Sequence, residues 1–344
     1  MYSGKRTLLI FILLGICLIV FFVLDVFTGS VSIAPAKVIS LLLKPLDNAN
    51  EISVILHRFR IPKALTAIIA GSALSVSGLQ MQTIFRNPLA GPYVLGISSG
   101  ASLGVAILVL TATGFGLLPG NTVPGNWAVA IAAWVGAALV LLVIMMVSIR
   151  IRDIMTILIL GILFGSITSA IVSILQYFSS EATLKTFVVW TLGSLGNVDN
   201  SQLLVLGVCT AIGILFTVFS VKSLDALLIG EDYARSLGIN ILTTRILVFS
   251  GTSILAGTVT AFCGPVGFLG IIVPHIARLI FRTARHIVLL PASILIGSSL
   301  LISADIIAQL PGTDLVLPIN SVTALLGIPV VIWIVLKNKT IHMA

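Results

Sequence analysis

Long apolar runs without charges constrain this sequence more than any other feature. Of its 344 residues, 58% are hydrophobic and only 9% are charged, and the mean hydropathy is +1.21. A soluble domain carries about 25% charged residues, and so few charges cannot cover a water-exposed surface. A membrane-spanning helix needs about 20 mostly apolar residues. The sequence therefore predicts an all-α, polytopic membrane protein.

Charges, prolines and glycines divide the apolar sequence into about ten predicted spans. They cover residues 7–27, 64–85, 94–113, 127–149, 154–177, 201–221, 243–263, 267–281, 287–309 and 317–336. The eighth is short and follows Gly264-Pro265, so we expect it to be broken or half-buried. The first is too long for a cleaved signal peptide and is expected to stay as a span. Together the spans form one transmembrane domain over residues 1–344.

Lysine and arginine residues predict the orientation, because they collect in the cytoplasmic loops of membrane proteins. If both termini are cytoplasmic, the outer face holds only six of these 19 residues: Lys37, Lys44, Arg58, Arg60, Lys63 and Lys185. We therefore expect cytoplasmic termini. The same bias explains the net charge of +8, and no basic run with interleaved aromatic residues favours nucleic-acid binding. Five of the six outer residues lie between the first two spans, which needs its own explanation.

The sequence lacks the residues that would power transport or catalysis. It has no nucleotide-binding loop of the form GxxxxGK[ST], so we do not expect it to hydrolyse ATP. The cysteines and histidines are scattered, so no cofactor, metal or intramembrane enzyme is predicted. An ion-driven transporter needs an acidic residue inside the membrane, and Asp305 and Asp25 are the candidates. Structural pairing of Asp305 is the alternative. A transport path without its own power source implies an energised partner.

Five motifs follow one another along the chain, at residues 60–80, 86–101, 230–238, 264–278 and 304–329. In this order they resemble the FecCD-type permease subunits of iron-chelate, haem and vitamin B12 ABC importers, which have the type II importer fold. The resemblance covers nearly the whole chain. It implies ten helices per subunit, a homodimer with the path along its axis, two cytoplasmic ATPase subunits and an extracytoplasmic substrate-binding protein. It also implies a location in the bacterial cytoplasmic (inner) membrane.

The segment 222–240 is the longest polar stretch between predicted inner-facing ends. Its glycines permit sharp turns between short helices, which favours a helical hairpin over a solvated loop. In the resembled family this region contacts the ATPase. The resemblance thus assigns as coupling residues Gly230, Glu231, Asp232, Arg235 and Gly238.

The second span ends at Asn87-Pro88-Leu89, where Pro88 forces Asn87 out of the helical conformation. Irregular backbone at membrane depth is tolerated where it lines a cavity or is buried in protein. The resemblance implies that Asn87, Pro88 and Leu89 form a cytoplasmic gate with the loop at residues 150–156. A purely structural turn is the alternative.

The basic residues between the first two spans gain an explanation from the same resemblance. The family's binding protein docks through acidic residues, and Arg60 and Lys63 match the basic positions that receive them, with Arg58 as a further candidate. A third basic position follows the Ala-Asp pair of the ninth span, where this chain has Gln309. This departure weakens the expected docking. Anchoring of the span in lipid headgroups is the alternative.

The sequence thus predicts the permease of an ABC importer for a bulky metal chelate. Iron–siderophore is the first expectation, and cobalamin and haem are alternatives within the family. An ion-driven secondary transporter is the alternative of another class, and a non-transporting scaffold is a third. A large substrate suits a path without charged ligands, with specificity residing in the binding protein.

Overall fold

The computed structural model describes residues 4–29, 31, 33–42, 46–47, 49–111, 125–151, 153–310 and 315–341. Within these ranges the chain is helical and contains no strand, so the all-α prediction is confirmed. Two basic residues considered in the sequence analysis, Lys44 and Arg152, lie outside the described residues.

The helices follow one another as a long bundle with short connecting elements. In chain order they are α1 (Gly4–Phe27), α2 (Pro35–Leu42), α3 (Glu51–Val54), α4 (Ile61–Ile84), α5 (Ile97–Thr111), α6 (Asn126–Arg150), α7 (Ile154–Tyr177), α8 (Glu181–Thr191), α9 (Asn200–Leu227), α10 (Glu231–Ser236), α11 (Ile241–Cys263), α12 (Leu269–Phe281), α13 (His286–Ala308) and α14 (Ile319–Ile341). A π-helical stretch, Ile55–Arg60, joins α3 to α4, and a 3₁₀ turn, Pro92–Leu95, precedes α5.

All ten predicted spans correspond to helices, namely α1, α4–α7, α9 and α11–α14. Among the residues that the structure describes, seven helical stretches are long and apolar enough to cross a membrane, whereas α5, α12 and the apolar part of α14 are shorter. The sequence missed α2, α3 and α8. It also placed the start of the second span too late, because α3, the π-helical stretch and α4 run on continuously as Glu51–Ile84. Asn50 begins this helix by accepting from the N–H groups of Ile52 and Ser53.

Helix α4 forms the centre of the bundle, where it packs against α9, α11, α12 and α13. In its most apolar stretch 83% of the residues are buried, whereas none are in the corresponding stretch of α1, which packs on the bundle by one face only, mainly against α13. The buried hydroxyls of α4 bond to carbonyls one turn back, as Ser75 does to Gly71 at 2.7 Å. No backbone or side-chain polar group then has to meet lipid.

Small residues bring these helices into backbone contact. A Cβ added to Gly71 would collide with Gly297 of α13, and one added to Gly78 would collide with Gly270 of α12. Glycines of α5 likewise meet α6, where a Cβ added to Gly100 would collide with Gly136. Helices in lipid associate through such close approach. These faces are packing surfaces in the structure.

Helix α12 is short, as the eighth span was predicted to be, but it is unbroken from Leu269 to Phe281. Pro274 lies inside it and cannot donate to the carbonyl of Gly270, four residues earlier. Gln82 of α4 supplies the missing donor, since its Nε2 lies 3.4 Å from the Gly270 oxygen and 2.9 Å from the Ile271 oxygen. The proline-containing helix is thereby attached to the centre of the bundle.

Candidate functional site

The residues assigned from the sequence fall at two opposite ends of the bundle. One end, here called the hairpin end, carries the turn at residues 85–91, the segment 228–239 and the first turns of α11 and α13. The opposite end carries the last turn of α1, the first turn of α4, the last turn of α13 and the loop 192–199. At the hairpin end, Thr83 near the end of α4 contacts His286 at the start of α13. At the opposite end, Arg60 just before α4 contacts Val26 near the end of α1.

At the hairpin end, residues 228–239 form a short helix between two turns. Gly230 has φ +150° and Gly238 has φ +81°, conformations that residues with a Cβ rarely adopt. Between them lies the single short helix α10, so the predicted sharp turns at the glycines are confirmed, whereas a second short helix is not formed because residues 222–227 continue α9. Its apolar side chains Leu228, Ile229, Tyr233 and Leu237 are 41–68% exposed. Such a cluster of exposed apolar groups beside polar ones is typical of a protein-contact surface.

The charges of the hairpin point in two directions. Glu231 turns inward, where its carboxylate lies 2.8 Å from Nη2 of the buried Arg245 and 3.5 Å from Arg235. Asp232 is fully exposed and lies 3.6 Å from Arg235. Sequence reasoning missed Arg245. The available signal was a cation inside a predicted span, which is rare there and needs an acidic partner.

A second polar contact beneath the hairpin was also missed. Asp225, in the last turn of α9, accepts from the backbone N–H of His286 at 2.8 Å and lies 2.6 Å from its ring Nδ1. The other ring nitrogen, Nε2, lies 2.8 Å from the Thr83 hydroxyl of α4. The residue that precedes α13, Arg285, makes no capping bond of its own, so Asp225 caps this helix from α9.

The turn after α4, at residues 85–91, has the break that Pro88 predicted. The Asn87 side chain accepts from the N–H of Leu89 at 2.9 Å, and the Pro88 carbonyl lies 3.1 Å from Nε2 of His275. Arg86 has φ +46°, and its guanidinium lies next to Gly230. The turn and the hairpin are therefore neighbours in space, although about 140 residues separate them in sequence.

The other predicted gate element, the loop 150–156, is held by Asp153 at the start of α7. This carboxylate accepts from the hydroxyl of Thr156 at 2.6 Å and from its N–H at 2.9 Å. These bonds, the hydroxyl foremost, hold the pKa of Asp153 below its usual value. Described residues of this loop thus form an N-terminal helix cap.

At the opposite end, Arg60 and Lys63 direct their charges into the chain. Arg60 is buried and donates to the carbonyls of Val26 and Phe27 at 3.0 Å each, and to that of Val31, so it caps the C-terminus of α1. Lys63 lies 2.8 Å from the carboxylate of Asp305. Asp305 therefore has the structural pairing that the sequence left as an alternative. Arg58 and its neighbour Phe59 are exposed.

Gln309, the residue that departs from the family pattern, lies buried within this group. Its amide donates to Asp25 at 2.8 Å and to Asp305 at 3.0 Å, and so joins the ends of α1 and α13. Beside these residues is a cavity of about 520 Å³, whose polar lining comes from Arg60, Lys63, Ser194, Asn197, Asp305 and Gln309.

Comparisons with known proteins agree on one family. The sequence model of the FecCD transport family matches residues 17–337. The vitamin B12 import system permease protein BtuC of Klebsiella pneumoniae is 37% identical over 282 residues, which are 82% of this chain and 82% of that protein. Its counterpart from Escherichia coli O9:H4 is 36% identical and covers 82% and 83%. A solved structure described as an inward-facing conformation of a metal-chelate type ABC transporter has a TM-score of 0.81 at 25% identity, and covers 95% of this chain and 99% of its own.

Proposed function

The chain belongs to the FecCD transport family, and we propose that it passes a bulky metal chelate from a binding protein through the bacterial inner membrane into the cytoplasm. It is the permease subunit of an ABC importer and not an enzyme, so ATP hydrolysis belongs to a separate ATPase partner. The curated relatives are named for vitamin B12, which favours a cobalamin over the iron–siderophore expected from the sequence. We propose one transmembrane domain over residues 1–344, with both termini cytoplasmic and two identical copies around the path.

The observation that carries this proposal is the hairpin at residues 228–239. We propose that the ATPase binds to this hairpin, which we call the ATPase seat. The residues assigned to coupling with the ATPase lie there: Gly230, Glu231, Asp232, Arg235 and Gly238. The two glycines give the hairpin its shape, and the ion pair of Glu231 with Arg245 holds α10 against α11. Asp232 and the exposed apolar side chains are the groups available to a partner. Burial of such apolar groups is the main source of affinity in protein interfaces.

For Asn87, Pro88 and Leu89 we propose the role of a cytoplasmic gate. Their turn is non-helical, lies at the hairpin end and adjoins Gly230 through Arg86. Leu89 is exposed, so its side chain is available to close a path. The bond between Asn87 and the N–H of Leu89 fixes the shape of the turn.

For the opposite end we propose that residues 58–63 receive the binding protein. Arg58 and Phe59 are exposed there, whereas Arg60 and Lys63 contribute by holding the segment against α1 and α13. The exposed charge would attract an acidic partner and orient it. This division of roles differs from the sequence interpretation, in which all three cations faced the binding protein.

Reconstitution tests the proposal directly. The permease is placed in proteoliposomes with its ATPase, and its binding protein is added after loading with cobalamin, a ferric siderophore or haem. We expect one chelate to stimulate ATP hydrolysis and uptake together, and cobalamin to be the strongest. Uptake driven by an ion gradient without ATPase would support a secondary transporter instead. Absence of flux with every chelate would contradict the metal-chelate proposal.

A further inference from the structure

Three helices meet beneath the hairpin through one histidine. His286 opens α13, and its side chain is 1% exposed with both ring nitrogens in contact with other helices. Nδ1 lies 2.6 Å from the carboxylate of Asp225 on α9, and Nε2 lies 2.8 Å from the hydroxyl of Thr83 on α4. A carboxylate only accepts, so Nδ1 carries the proton. In the neutral ring Nε2 has no proton, so its bond to Thr83 uses the one hydroxyl proton of Thr83, for which the Leu79 carbonyl at 3.0 Å competes.

The positions of the outer two residues give this contact its significance. Asp225 lies three residues before the exposed hairpin, and Thr83 lies just before the turn at 85–91. Asp225 also accepts from the backbone N–H of His286, so the end of α9 is attached to both the ring and the main chain of α13. Because the ring is buried and bonded on both sides, it cannot turn without losing a bond. A shift of the end of α9 must therefore reach α4 or break the chain of contacts.

We propose that His286 is a positioning residue that transmits movement of the ATPase-binding hairpin to the gate turn, through Asp225 and Thr83. This rests on the functions proposed above for the two segments. It assigns the importer a mechanical link that no sequence motif marks. Coupling between two sites needs an element whose arrangement both sites influence, and the last turns of α9 and α4 with the first turn of α13 are such an element.

The test separates the two halves of the link by variants of similar size. Thr83→Val removes the hydroxyl and keeps the shape, whereas Thr83→Ser keeps the hydroxyl. His286→Asn keeps a side-chain donor near Asp225 but is too short to reach Thr83. His286→Gln reaches toward Thr83 but loses the side-chain bond to Asp225. The matched control is Thr252→Val, which breaks another buried bond to α4, the 3.0 Å bond from Thr252 to Gln80, outside the contacts made by His286.

Each variant is co-purified with its ATPase and reconstituted, and uptake per ATP hydrolysed is measured with loaded binding protein. We expect Thr83→Val and both His286 variants to bind the ATPase normally but to lower uptake per ATP about fivefold or more, the lower range of allosteric coupling. Thr83→Ser and Thr252→Val should keep the wild-type ratio. A wild-type ratio in Thr83→Val, or an equal loss in Thr252→Val, would overturn the proposal.

A separate variant distinguishes failure of this link from failure of the proposed function. Ile229→Asp places a charge on the proposed ATPase seat and should release the ATPase from the purified complex. If Ile229→Asp retains the ATPase, the hairpin is not its seat, and the link loses its first component as well. If Ile229→Asp releases the ATPase while Thr83→Val transports with the wild-type ratio, only the link is wrong.

Discussion

The two ends of the bundle differ in where their polar and apolar side chains point. At the opposite end, Arg60, Lys63 and Gln309 all face inward, toward carbonyls or the carboxylates of Asp25 and Asp305. At the hairpin end Glu231 also faces inward, but Asp232 faces outward and the same short segment carries exposed apolar side chains. Buried charges must be paired inside the chain, whereas exposed apolar groups need cover from another molecule.

This contrast implies that the two ends respond differently to mutation. At the opposite end a substitution should act first on folding, because it leaves a buried charge without its partner. On the hairpin surface a substitution should leave folding unchanged and act on assembly with the ATPase.

Lys63→Ala should have the largest effect on stability. It leaves the carboxylate of Asp305 buried without its cation, which costs about 3–5 kcal/mol of unfolding free energy. Thermal unfolding of the detergent-solubilised permease measures this loss. Lys37→Ala is the control, because Lys37 is an exposed cation in the same region. If the two variants were equally stable and only binding-protein docking were impaired, Lys63 would act on the partner. The claim that charges at this end act first on folding would then be wrong.

Gln309→Leu should destabilise the same end to a smaller degree. The change removes the amide that donates to both Asp25 and Asp305, and loss of hydrogen bonds to charged groups costs about 1.5–3 kcal/mol. Thermal unfolding again measures it. Gln309→Glu sharpens the test, since a third carboxylate should destabilise the protein further. If Gln309→Leu unfolded at the wild-type temperature, the hydrogen bonds of the Gln309 amide would not contribute to stability.

Ile229→Ser should weaken ATPase binding about tenfold and leave thermal unfolding unchanged. The reason is that burying a large apolar side chain contributes about 1.5–3 kcal/mol, and serine loses most of it. Titration of the reconstituted permease with purified ATPase gives the affinity. Leu46→Ser, a change of an exposed apolar residue at the opposite end, is the control and should bind the ATPase normally. A loss of thermal stability without a loss of affinity would mean that Ile229 supports the fold of the permease and does not bind the ATPase.

The difference between the ends also explains how far the sequence could predict the molecule. Apolar runs predicted all ten spans because each helix is long compared with the errors at its ends. Pairs such as Asp25 with Gln309, 284 residues apart, leave no local pattern, since their distance depends on how α1 and α13 pack. The same holds for His286, whose two partners lie on different helices. Gly230 and Gly238, by contrast, act within their own turns, and the hairpin that they bound was predictable.

Asp232→Asn should have the smallest effect, because its carboxylate is fully exposed and only loosely paired with Arg235. An exposed charge contributes little to the affinity of an interface and acts mainly on the association rate, which salt screens. ATPase association should therefore slow slightly at low salt and match the wild type at high salt. The control Glu181→Gln removes an exposed acid at the opposite end and should change neither rate. A large, salt-insensitive loss of ATPase association in Asp232→Asn would mean that the carboxylate becomes buried against the ATPase. The outward charge of the hairpin would then need a partner charge, as the inward charges of the opposite end do.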